Sequence, residues 1–237
     1  LNERDRILIV ETSTRSGSIA LVEGLAESTT SALLDPLVPH DRDLVPAIER
    51  LLRSRGILPR DLTGLVLGRG PGSFTGLRVG AATVLGLHQA LRIPVLGRPS
   101  LEATAAAALR ATERIAIALD ARRGAFFVAR YERDAEGALR EVVAPRLCEA
   151  RELAATLPAD EPLWSDAEPL LAELLPPTRH PRVPAEVSGP RAAELWLAAR
   201  RLWPPPPSAF VEEQLLPLYL RASSPEEKRE RALDALR

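Results

Sequence analysis

Read from the N-terminus, the chain sets short apolar runs between polar turns before it settles into helical periodicity. Ile7-Leu8-Ile9-Val10 is an uninterrupted apolar run of strand length, and Ser18 to Val22 is a second. The polar stretch Thr12-Ser13-Thr14-Arg15-Ser16-Gly17 between them predicts a hairpin. Thr29 to Leu34 predicts a third strand. Beyond Pro36 and Pro39 the apolar positions Leu44, Val45, Ile48, Leu51 and Leu52 recur at steps of three and four. They form one stripe of a helix, with Asp41 or Asp43 expected to cap its start and Gly56 and Pro59 to end it.

The pattern then runs strand (Leu65 to Leu67), helix (Leu77 to Leu91), strand (Pro94 to Gly97) and helix (from a Ser100 cap to about Arg110). After that it restarts. Ile115 to Leu119, Ala125 to Tyr131 and Glu141 to Leu147 predict three strands, followed by a helix over Ala150 to Leu157, a strand at Leu163 to Ser165 and a helix over Glu168 to Leu175. Gly189-Pro190 opens a last helix through Trp203, and Pro204 to Pro207 is a stiff connector, either a spacer or a recognition segment. A repeated strand-strand-strand-helix-strand-helix unit predicts an α/β chain of two tandem lobes. The expected division is 1–101, 102–210 and a C-terminal segment 211–237 that packs back on the first lobe. Glu227 and Arg231 in that segment stand one helical turn apart.

Between the Leu65 strand and the Leu77 helix lies the most unusual stretch, Gly68-Arg69-Gly70-Pro71-Gly72-Ser73-Phe74-Thr75-Gly76-Leu77-Arg78-Val79-Gly80. Backbone without side chains at a strand-to-helix turn can approach another chain, cradle an anion on the N–H groups of the helix start, or simply make a tight connection. A phosphate-binding P-loop is excluded, because no lysine follows the glycines. The dinucleotide fingerprint fits Gly70 and Gly72 but meets Thr75 where its third glycine belongs. Further along, Gly76, Gly80, Thr83 and Gly86, with Val79, Ala82 and Ala90 beside them, give one helix face small enough for another helix to come close.

Composition narrows the classes. The 237 residues are 46% hydrophobic and carry a net charge of −1, enough for real cores and no global field for nucleic acid. Cys148 is the only cysteine, which excludes an internal disulfide and a cysteine-based zinc site. The opening Leu1 to Arg6 mixes both charges ahead of four apolar residues, which reads as neither signal peptide nor membrane span. A soluble, cytoplasmic protein without membrane contact is expected.

Taken together, the opening strand with Thr12-Ser13-Thr14, His40, the Gly68–Gly80 segment, Pro94 to Gly97, Ser100-Leu101-Glu102, and the weaker Leu119-Asp120-Ala121-Arg122 and Leu218-Tyr219-Leu220-Arg221 resemble the tRNA threonylcarbamoyladenosine biosynthesis protein family TsaB. The resemblance implies two actin-like (ASKHA, ribonuclease H-like) lobes. It further implies a role in N6-threonylcarbamoyladenosine formation at tRNA position 37, as a non-catalytic partner of the transferase TsaD in a heterodimer. TsaE would be the third component, a homodimer is expected without TsaD, and tRNA contact would be indirect.

The residues separate this reading from the catalytic relative. TsaD-like proteins hold a metal with a helical H-x-x-x-H pair, whereas His40, His88 and His180 lie far apart here, so no metal is expected. Glu11 replaces the family's usual aspartate, and Asp120-Ala121-Arg122-Arg123-Gly124 lacks paired glycines for phosphates. Glu11, Thr12, Ser13 and Asp120 are read as a vestigial nucleotide site or as acceptors that pin turns. No catalytic residue and no required cofactor are expected, with ATP or ADP contact weak or shared.

The expected partner interface is Leu44, Val45, Ile48, Leu51, Leu52, Val79, Gly80 and Thr83, beside the loop residues Gly70, Pro71, Gly72, Ser73, Thr75 and Gly76. His40-Asp41-Arg42 departs from the family's usual His-Ser-Glu. The alternatives are an independent actin-like ATPase or sugar kinase, and a peptidase using Ser13 or Ser73, for which no triad partner is evident.

Overall fold

The computed structural model describes residues 1–175, 177, 180–183, 189–206 and 211–221. Pro207 and the 225–237 segment with its Glu227/Arg231 pair lie outside the described residues. The first half contains β1 (Arg6–Glu11), β2 (Ser18–Glu23), β3 (Ser28–Leu33), α1 (His40–Ser54), β4 (Gly64–Gly68), α2 (Phe74–Leu91), β5 (Val95–Arg98) and α3 (Leu101–Ala108). The second contains β6 (Arg114–Asp120), β7 (Ala125–Arg133), β8 (Leu139–Glu149), α4 (Leu153–Thr156), β9 (Leu163–Ser165), α5 (Glu168–Leu174), α6 (Ala192–Ala199) and α7 (Val211–Leu215).

Two sheets form, in the orders β3-β2-β1-β4-β5 and β8-β7-β6-β9. In each, an antiparallel meander is extended on its first strand by a parallel one. The duplication read from element order is thus a duplication of topology, as a pair of tandem lobes requires. The central strands explain why their sequences are unbroken apolar runs. Leu8 and Val10 enter the core under α1 and α2, while Ile7 and Ile9 face the opposite core with Trp196. Ile115, Ile117 and Leu119 likewise face α3 while Ala116 and Ala118 face α4 and α5. A strand covered on both faces has no polar side to alternate with.

Two alanine-rich helices join the halves. On α3, Leu101, Ala105 and Ala108 pack on the second sheet, and Ala103 packs with α6. By chain order α6 falls within 102–210, yet Ala192, Leu195, Trp196 and Ala199 lie on Ile7, Ile9, Ala20 and Val22 of the first sheet. Small residues let both helices sit close between the sheets.

The structure corrects three local expectations. The first turn of α1 has no side-chain cap; Asp43 instead accepts the Asp35 N–H at 2.8 Å and pairs with Arg50. Ser100 precedes α3 without capping it, because its hydroxyl takes the Gly70 N–H at 2.9 Å. And α2 begins three residues early, at Phe74, since Ser73 Oγ accepts from Gly76 N.

Candidate functional site

The C-terminal end of β1 and the turn after it are buried. The Ser13 N–H donates to Glu11 Oε1 at 2.7 Å, which closes the turn through the carboxylate. Glu11 Oε2 makes no hydrogen bond of good geometry, and burial pushes the carboxyl up, offset in part by the Ser13 and Ser100 hydroxyls, the Ser13 N–H and nearby His40. Thr12 Oγ1 and Ser13 Oγ are also buried without a hydrogen bond of good geometry, although the Ser13 hydroxyl lies near enough to the Glu11 carboxylate to act on it.

Over this turn lies the glycine segment, and its composition follows from closeness to β1. A side chain at Gly68 would overlap the Glu11 carboxylate, at Gly72 the Ser13 carbonyl, at Gly76 the Thr12 carbonyl, and at Gly80 the Thr12 hydroxyl. Three of the N–H groups that could have received an anion are used internally: Gly70 N on Ser100 Oγ, Ser73 N on the Ser13 carbonyl at 2.6 Å, and Gly76 N on Ser73 Oγ at 3.2 Å. With these donors engaged and the space over the glycines filled by β1, the segment is shaped first for close packing. Pro71 is buried beside it and Thr75 is exposed.

Across from this loop stands the tip of the β6–β7 hairpin. Arg122, Arg123 and Gly124 all have left-handed φ (65°, 53° and 71°). Such backbone in two consecutive arginines costs on the order of 1 kcal/mol each. Asp120 holds the turn by accepting the Arg122 N–H at 2.7 Å and pairing with its guanidinium, while the Asp120 N–H donates to Asp166 Oδ1 at 2.7 Å. Burial pushes the Asp166 carboxyl up; the Asp120 N–H offsets part of that, and the Asp120 charge adds to it. Between the two turn systems lies a cleft of about 940 Å³ lined by Ser13 to Ser16, Gly72 to Gly76, Leu119 to Arg123, Asp166, Arg191 and Leu218 to Arg221.

Ser13 and Asp120 therefore meet across one cleft, with Glu11 and Thr12 buried behind it. Sequence reasoning missed Asp166 and Arg191, which join the cleft from distant segments and carry no local signature, and it noted the run ending at Arg221 without placing it at the cleft. Arg191 donates to the Ser16 carbonyl, fixing the start of α6 to the first hairpin.

The expected interface divides. Leu44, Ile48, Leu51 and Leu52 are in the core with Leu8, Val10, Leu65 and Leu67, so the stripe covers the chain's own sheet. Gly80 is buried against Thr12 and is likewise a packing position. Val79 is half-buried on the same core and Thr83 half-exposed, while Val45 is 59% exposed and Leu85 39% exposed on the outer faces of α1 and α2. His88 Nδ1 lies 2.8 Å from the Ile93 carbonyl at the end of α2, and His40 Nε2 lies 3.3 Å from the Arg15 carbonyl. Among the described residues no three His, Cys, Asp or Glu side chains are grouped to hold a metal. No described helix is long and apolar enough to cross a membrane.

Comparison with known proteins fits this geometry. A family model named "TsaD: tRNA N6-adenosine threonylcarbamoyltransferase" matches residues 38–172. The tRNA threonylcarbamoyladenosine biosynthesis protein TsaB of Escherichia coli (strain K12) is 35% identical over 136 residues, 56% of this chain and 57% of that protein. TsaB of Bacillus subtilis (strain 168) is 34% identical over 139 residues, 58% and 59% of the two chains. The chain belongs to the TsaB family. The matched segment spans little more than half the length of these curated TsaB relatives. A solved structure, YeaZ from Pseudomonas aeruginosa, superposes with a TM-score of 0.78 at 29% identity, covering 91% of this chain and 100% of that one. A second Pseudomonas aeruginosa structure, of an uncharacterised protein described as similar to peptidase YEAZ, gives 0.77 at 30% identity over 92% and 100%. In this TsaB-family chain Ser13 Oγ makes no hydrogen bond of good geometry and Ser73 Oγ accepts one from Gly76 N; neither is hydrogen-bonded to a histidine.

Proposed function

We propose that this chain serves the formation of N6-threonylcarbamoyladenosine at tRNA position 37 as a non-catalytic subunit that binds and organises the transferase TsaD, with TsaE as third component. One observation carries the reading. The glycine segment, the part of the chain best suited to hold a reacting phosphate, has its space taken up by β1 and three of its N–H donors engaged within the chain, by Ser100, Ser13 and Ser73. The turn carboxylates Glu11 and Asp120 are engaged in the same way by backbone N–H groups.

What the fold leaves for function is surface. The interface with TsaD in this reading is the outer face of α1 and α2, with Val45, Ala82, Leu85 and Gly86 exposed. In the absence of TsaD the same face pairs two copies of the chain. Contact with tRNA is made through the partner, the assembly is cytoplasmic, and any ATP or ADP contact is weak or shared across the interface. Sedimentation of the chain with the TsaD of its own organism tests this: a heterodimer is expected, and its absence at micromolar concentrations would refute the reading. A second reading, an independent ATPase, is favoured only by the size of the cleft. It requires ATP turnover by the purified chain alone that Asp120→Ala abolishes.

A further inference from the structure

The run Leu218-Tyr219-Leu220-Arg221 is the part of the sequence that the proposed function leaves unused, and its contacts pass from one lobe to the other along the run. The Leu218 N–H donates to the Arg69 carbonyl of the glycine segment at 2.7 Å. The Tyr219 ring packs at a tilt of 35° against Phe74, the first residue of α2, with centroids 4.9 Å apart; the Arg78 guanidinium carbon lies 4.0 Å from the Phe74 ring centroid and its Nε donates to the Tyr219 hydroxyl at 3.3 Å. Both contacts belong to the first lobe. Leu220 packs against the core of the second lobe. The Arg221 guanidinium donates through one nitrogen to the Ala121 and Arg122 carbonyls, at 2.7 and 2.9 Å, at the hairpin tip. Those two contacts belong to the second.

Just upstream the segment is anchored to the first lobe alone. Leu215 enters its core, Gln214 Oε1 accepts the Gly97 N–H at 3.0 Å, and Arg69 donates to the Glu213 carbonyl. Gly97 has no side chain because the Gln214 backbone occupies that space. All four residues of the run also line the cleft.

We propose that Leu218–Arg221 is a clasp that fixes the two lobes at one angle and holds the cleft between them closed on that side. The left-handed backbone of Arg122 and Arg123 belongs to the same device. It turns consecutive carbonyls toward Arg221, and charge-assisted bonds of this kind offset the strain of the tip. Release of the clasp lets the lobes hinge about α3 and the α6 contacts without unfolding either one.

Spin labels on Arg42→Cys in the first lobe and Arg151→Cys in the second, with Cys148→Ser, read the angle as an interlobe distance; both labelled arginines are exposed. The parent chain should give a single narrow distribution. A chain ending at Pro217, and separately Arg221→Gln, should shift it to longer distance and broaden it, with unchanged circular dichroism. An unchanged distribution in Arg221→Gln and in Tyr219→Ala would overturn the proposal. Those two point variants expose no core side chain, so they decide the matter even where the shortened chain does not fold.

Discussion

At the scale of single residues, the glycine segment shows how one pattern serves two chemistries. Glycines between a strand and a helix suit an anion cradle and a close crossing equally, and only the location of Thr12 and Ser13 decides between them. The decision has a mutational consequence. Gly80→Arg should destabilise the folded chain by more than about 3 kcal/mol in urea denaturation, because the side chain would overlap the Thr12 hydroxyl in packed core; a folded Gly80→Arg chain that merely fails to bind its partner would place Gly80 on the surface.

Glu11 makes a second prediction. Its carboxyl is buried and holds its proton above the ordinary value of 4.5, so the folded state binds more protons than the unfolded state in that window. Stability contributed by this group is full below pH 4.5, declines as pH rises through the raised folded value, and is flat above it. Glu11→Gln keeps an acceptor for the Ser13 N–H and removes the titration. The difference in unfolding free energy between wild type and Glu11→Gln should therefore move in favour of the variant as pH rises from 4 to 8. A difference independent of pH would contradict the burial of an ionisable group there.

Elements were legible in the sequence wherever burial is two-sided or periodic. The apolar runs at Ile7 and Ile115 gave strands in their observed places, and the Leu44 to Leu52 stripe gave α1. What the stripe faces was not legible, since i, i+4, i+7 spacing is the same whether the neighbour is the chain's own sheet or another protein's helix. The exposed complement of α1 and α2 is the better guide. Leu85→Asp should leave the thermal midpoint within a few degrees and abolish the heterodimer, whereas Leu51→Ala should destabilise by about 2–5 kcal/mol and leave binding intact wherever the chain is folded. Titration calorimetry against TsaD with parallel thermal melts separates the two. The return of α6 to the first sheet was equally hidden, because its small apolar face matches either lobe, and Ser100 and Asp43 look like caps until the loops that claim their side chains are in place.

For the whole molecule, duplication of a strand-meander lobe leaves a cleft between equivalent turns, and this chain closes each turn on one of its own carboxylates while keeping the lobes in register through α3, α6 and the C-terminal clasp. In the proposed reading such an architecture acts through its surface. The most direct test is reconstitution: unmodified tRNA, threonylcarbamoyl-adenylate, TsaD and TsaE, with and without this chain, followed by quantification of N6-threonylcarbamoyladenosine in the digested tRNA. The account predicts modification that depends on the chain, survives Asp120→Ala in it, and is lost with Leu85→Asp. Full modification without the chain, or transfer by the chain in the absence of TsaD, would contradict it.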